Sequence, residues 1–144
     1  MVWTAPALPR VDEPFVADER AMLQGFLDFG RDTLLGKCAG LTGAELASRP
    51  VAPSALSLLG LVRHVSEVER TWFRRRFGGQ DVAGLYRRDD QPQAAFVEVD
   101  PQQAEHDIAR LIAERQAADQ AVAGLPLDHL FVSDPALAME KFST

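Results

Sequence analysis

An all-α fold is predicted by three features of the sequence: three long stretches with apolar residues at helical spacing, start or stop signals at their ends, and no segment with strand alternation. The first eleven residues hold two prolines and no clear period, so they read as an extended arm lying across a core. The first helix is expected over 13–40. Phe15, Met22, Leu23, Phe26, Leu27, Phe29, Leu34 and Cys38 fall on one side, opposite Gln24, Asp28, Arg31 and Asp32. Gly25, Gly30 and Gly36 weaken that helix, which implies packing support or a close backbone approach.

Thr42-Gly43-Ala44-Glu45 has capping-box spacing and starts a short turn, which Pro50 and Pro53 end. The second long helix is expected over 55–77, capped by Ser54 or Ser57. Leu58, Leu61, Val62, Val65, Val68 and Trp72 form its stripe, and Gly78-Gly79 stops it. Residues 80–99 make a mostly non-helical connection, longer than neighbouring antiparallel helices need, and so a crossover pinned by Phe96, Val97 and Val99. Asp100-Pro101 then pairs an N-cap with proline at the first helical position. The third helix runs to about Ala123 with Ala104, Ile108, Leu111, Ile112, Ala118 and Val122 inward. Together these give a single domain, 1–144, built on three antiparallel long helices. Asp134-Pro135 repeats the start signal near the end of the sequence.

Composition narrows the function. Lys plus Arg is 15 against 21 acidic residues, a net charge of −6, so the surface lacks the positive excess that grips a nucleic-acid backbone. With 47% hydrophobic and 25% charged residues, the chain matches an ordinary globular protein. One cysteine, Cys38, excludes an internal disulfide framework, and no stretch reaches the length of a membrane span or resembles a signal peptide. A cytoplasmic protein that binds neither nucleic acid nor membrane is expected. Phosphate-binding glycine loops, GxSxG, CxxC and HExxH are all missing from the sequence.

The remaining chemistry lies in a few side chains. His64 borders the second helix's apolar stripe, where it is either a boundary histidine satisfied by a neighbour or a metal ligand needing partners from another helix. His106 falls opposite its helix's stripe and reads as solvated, while His129 sits in a loop without a paired ligand. Cys38 reads as an inert core thiol. Arg115 and Asp119 lie within the third stripe at i, i+4, so they should pair or face an open cavity. Arg63, Glu67, Arg70 and Arg74 form a ladder read as a solvated face, with Glu67 turned away from His64.

The run from Ala52 to Phe73, APSALSLLGLVRHVSEVERTWF, following Glu19 to Leu27, ERAMLQGFL, resembles the actinobacterial branch of the DinB-like superfamily of metalloenzymes over roughly residues 12–130. The resemblance implies a four-helix-bundle type with a long crossover between its second and third helices. It also implies a divalent metal, zinc or nickel, held by a histidine at the position of His64 and two more from a fourth helix. Some members are transferases or isomerases that use a low-molecular-weight thiol such as mycothiol. This sequence has no histidine after His129, so the ligand-bearing helix is expected to be short or missing.

Three functions follow as expectations. One is a metal-dependent thiol S-transferase or isomerase acting on an electrophilic small molecule. The second is a non-catalytic bundle that pairs through an apolar face, giving a homodimer. The third is a small-ligand module using the gap beside the third helix, with Arg115 as a cofactor-binding wall. Alternatively the arm residues Val2, Trp3, Leu8 and Val11, with Leu137, Met139 and Phe142 of the tail, cover that gap.

Overall fold

The computed structural model describes residues 1–131, and these residues form helices with no strand among them. The Asp134-Pro135 signal and the tail residues Leu137, Met139 and Phe142 lie outside the described residues. The long helices are α1 (Glu19–Cys38), α3 (Leu58–Glu69) and α5 (Ala104–Val122), with short helices α2 (Gly43–Ala47) and α4 (Ala94–Val97) between them. A π-helix, Arg70–Phe77, prolongs α3, and a 3₁₀ turn, Pro101–Gln103, precedes α5.

The capping signals act as expected. Asp18 accepts from the Ala21 amide at 2.8 Å and so starts α1 later than its apolar pattern does, leaving Phe15 and Val16 exposed in the arm. Thr42 and Glu45 form a complete capping box on α2, Ser57 caps α3 at the Gly60 amide, and Asp100 takes the Gln102 amide before α5. Gly43 is required by contact, since a Cβ there would run into the Pro101 carbonyl.

Helix direction departs from the all-antiparallel expectation. Arg63 faces Asp107, Arg70 and Arg74 reach Glu114, and Gly78 abuts Ala121, so residue numbers rise together along α3 and α5. These two helices are parallel, and the crossover exists to return the chain to their common N-terminal end. α1 runs antiparallel to both, with Arg20 donating to the Leu125 carbonyl and Leu35 beside the start of α3.

The core is aliphatic and sits at one end, where Leu35 and Cys38 of α1 meet Leu46, Leu59, Val62, Ile108 and Leu111. The N-terminal arm closes this end: Ala5 donates to the Leu41 carbonyl at 2.9 Å, accepts from Gly40 at 2.8 Å, and is buried. It therefore packs beside α2 and does not cover the gap between the long helices. Toward the other end α1 stands apart from α3 and α5, leaving a groove of about 550 Å³ walled by Phe26, Leu34, Val65, Val68 and Trp72.

Candidate functional site

Across α3 from that groove lies a second recess of about 980 Å³, bounded by α3, the π-helix and the crossover. Its position follows from local chemistry. Gly60 has no side chain, so Phe96 of α4 closes onto α3 there and its ring meets His64 at a centroid distance of 4.8 Å. Glu67 accepts from the Leu85 amide at 2.6 Å and the Tyr86 amide at 3.1 Å, tying the crossover loop to α3. Arg63 donates to the carbonyls of Ala95 and Ala94, which anchors α4.

Beneath the loop, the Tyr86 hydroxyl donates to Asp107 Oδ1 at 2.9 Å, and the Tyr86 ring lies 4.1 Å from the Arg63 guanidinium. Asp107 is 2% exposed, and its Oδ2 has only the Arg63 charge at 3.6 Å, without a hydrogen bond. Burial, reinforced by the Asp107 charge, pushes the Tyr86 hydroxyl up to about 12. The tyrosine is therefore a neutral donor throughout the physiological range.

His64 is exposed on the wall of this recess and does not face the groove among the three long helices or the bundle interior. Beside it are Glu67, Thr71, Trp72, Arg75, Arg76, Arg87 and Asp89. Glu67, expected on the far side, thus shares His64's recess. The π-helix supplies much of this wall: its wider i→i+5 turns, closed by the Gly78 amide on the Phe73 carbonyl at 2.8 Å, carry Trp72 and Arg76 with the guanidinium 4.2 Å over the indole. Sequence periodicity missed this because only Trp72 of the expected stripe falls within the π turns, too few positions to reveal a wider turn.

Arg115 lies elsewhere, on the groove, where it pairs with Asp32 and with Asp28 at 3.4 Å; it does not pair with Asp119. Asp119 instead joins Arg31 at 2.8 Å. Arg31 also makes a two-pronged contact to buried Glu69 at 2.6 and 2.7 Å. Desolvation works to lower the Arg31 value, but the bonds to Glu69 and Asp119 outweigh it and hold the guanidinium above its ordinary range. The ladder Arg63, Glu67, Arg70, Arg74 is not a solvated face, because parallel α5 and the crossover cover it: Arg63 is buried, and Arg70 and Arg74 both bind Glu114. His106 is exposed, and His129 stands against Phe77 at a distinct pocket. Cys38 is fully buried, which pushes its thiol up to about 11 and leaves it a poor nucleophile.

A divalent metal implied by the resemblance needs about three protein ligands. Among the described residues no group of three His, Cys, Asp or Glu side chains could hold one. His64 has a single carboxylate neighbour on its helix face, Glu67, and that group is already engaged by two amides. These residues do not make a coordination shell. Any metal role for His64 needs ligands from outside them.

A family model described as MST: Mycothiol-S-transferase matches residues 22–142 of the chain. Comparison with curated proteins and with solved structures gives no match. No helix among the described residues is long and apolar enough to cross a membrane.

Proposed function

The chain belongs to the mycothiol S-transferase family, and from that premise we propose that the His64 recess binds a mycothiol-type thiol and presents its sulfur to an electrophilic small molecule. The observation that carries this reading is the grouping of one imidazole, three arginines and two aromatic rings around a single recess about 980 Å³ in volume. Polar walls suit a hydroxyl-rich thiol better than the apolar groove does. Guanidinium groups near a thiol favour its thiolate, the nucleophilic form.

In this reading His64 takes the thiol proton as the sulfur–carbon bond forms. The bond from that carbon to the leaving group breaks, and the leaving group departs with the electron pair and receives the proton from the imidazolium. Phe96 holds the imidazole by stacking, and the loop tied down by Glu67 and Tyr86 forms the opposite wall. No step is routed through a metal. A reducing cytoplasm fits this chemistry and the single buried thiol.

The test is the rate at which mycothiol is conjugated to a chromogenic aryl chloride. His64→Ala should reduce it by roughly 10²–10⁴-fold, the usual contribution of a general base, with the circular dichroism spectrum unchanged. Wild-type turnover that survives this substitution overturns the role of His64. A second reading, a homodimer joined through the α1–α3–α5 groove, is favoured by Phe26, 54% exposed, and Trp72, 41% exposed, on one apolar surface. Light scattering at micromolar concentration should then give twice the chain mass, and a single-chain mass removes it.

A further inference from the structure

We propose that the co-substrate of the His64 recess is an anion: a planar electrophile bearing a carboxylate or phosphate group, gripped by Arg75, Arg76 and Arg87 while its body lies against Trp72 and Phe96. The inference rests on reading that recess as the place of thiol transfer and adds the class of acceptor.

Among the described residues, Arg75, Arg76 and Arg87 donate no hydrogen bond to the protein and enter no ion pair, and all three line this one recess. Every other arginine donates to a protein oxygen, apart from Arg110, which lies 5.6 Å over the Tyr86 ring. A protein with a net charge of −6 has ample carboxylates, yet among the described residues none pairs with these three.

Among the described residues the two acids on the same wall make no direct contact with these guanidiniums. Glu67 is turned to the amides of Leu85 and Tyr86, and Asp89 forms no ion pair with them. A mycothiol-type thiol, a cysteinyl pseudodisaccharide, can contribute one negative charge, at sulfur. That leaves guanidiniums without a directly bonded oxyanion, and an anionic acceptor supplies one.

Geometry selects the shape of that acceptor. Arg76 sits 4.2 Å over the Trp72 ring and donates no hydrogen bond among the described residues, so its forked donors can meet an oxyanion. Phe96 and Trp72 bound the same recess, and His64 stands against Phe96. A flat, unsaturated body between anion and electrophilic carbon satisfies both ends at once.

The experiment is isothermal titration calorimetry of the full chain at low salt with 4-nitrobenzoate, its methyl ester and inorganic phosphate. The acid should bind roughly tenfold or more tightly than the ester, the weight of one charge-assisted hydrogen bond, and added salt should weaken it. Arg75→Gln/Arg87→Gln should abolish the preference while circular dichroism shows an unchanged fold. Displacement by phosphate assigns a phosphate-bearing co-substrate, and failure to displace assigns a carboxylate. Equal binding of acid and ester, or a preference that survives the double substitution, overturns the inference. Thiol use by the wild-type protein with a neutral aryl chloride is measured alongside. Acid preference without thiol use overturns the transfer reading alone, and thiol use without acid preference overturns the anion site alone.

Discussion

The two faces of α3 handle charge in opposite ways. Toward α1 and α5, Arg31, Glu69, Asp119, Arg115, Asp32 and Asp28 form a closed set in which each guanidinium meets at least one carboxylate, under the apolar walls of the groove. Toward the crossover, Arg75, Arg76 and Arg87 stand around His64 with no hydrogen-bond or ion-pair partner among the described residues. The first arrangement holds a helix that makes few apolar contacts with its neighbours over half its length. Apart from Arg76 over the Trp72 ring, the second makes no ion pair or hydrogen bond among the described residues, which is why it is the place to look for a ligand.

The largest expected effect comes from breaking the closed set. Glu69 is 3% exposed, so Glu69→Ala leaves Arg31 buried and short of its principal partner, a loss of about 3–5 kcal/mol. The melting temperature should fall by roughly 10 °C or more. Replacing both partners, Arg31→Met with Glu69→Leu, should recover most of that loss, because no charge is then left buried. A single substitution that shifts the midpoint by only a degree or two would mean the network does not hold α1 in place.

A smaller effect is expected where the crossover is fastened. Tyr86→Phe removes the donor to Asp107 Oδ1 from a carboxylate whose other oxygen already lacks a hydrogen bond, at a cost of about 1–3 kcal/mol. It should also speed amide exchange in residues 84–97. The pH dependence has a definite sign. The Tyr86 hydroxyl moves from 10.0 to about 12 on folding, through burial first and the Asp107 charge second. Its contribution is fully present below pH 10 and is lost as pH rises from there through 12, because the unfolded chain releases this proton first. Tyr86 is the only tyrosine, so tyrosinate absorbance reports it alone, and a folded-state midpoint at its ordinary value would contradict the buried pair.

Much of the fold was legible in the sequence because its signals are local. The capping box at Thr42, the Asp100-Pro101 start and the stripe from Ala104 to Val122 each act within a few residues of chain. Direction was not legible, since the same stripes fit parallel or antiparallel packing until the crossover's return path is known. The candidate site was half legible. His64 could be named from its residue type and the surrounding motif, whereas its partners depended on long-range facts: Gly60 admitting Phe96, Glu67 turning to the loop amides, and the π turns that carry Trp72 and Arg76. Arg63 read as part of a solvated face because the crossover and α5, which bury it, are distant in sequence.

The smallest effect on stability sharpens the contrast most. Arg75→Gln/Arg87→Gln removes two guanidiniums that touch no acceptor among the described residues, so the fold should lose no more than about 0.5 kcal/mol, as for a neutral surface change. Relief of repulsion among three like charges can even raise the midpoint slightly. The same pair of changes made on the other face, where every guanidinium is bonded, would cost several kcal/mol. An anion that binds only the folded protein stabilises it by mass action, so phosphate or 4-nitrobenzoate should raise the wild-type melting temperature and leave that of the double variant unmoved. Thermal scans of both proteins, with and without the anion, decide the point. A double variant that melts several degrees below wild type in plain buffer would show that these arginines hold the structure together, and the difference between the two faces of α3 would disappear.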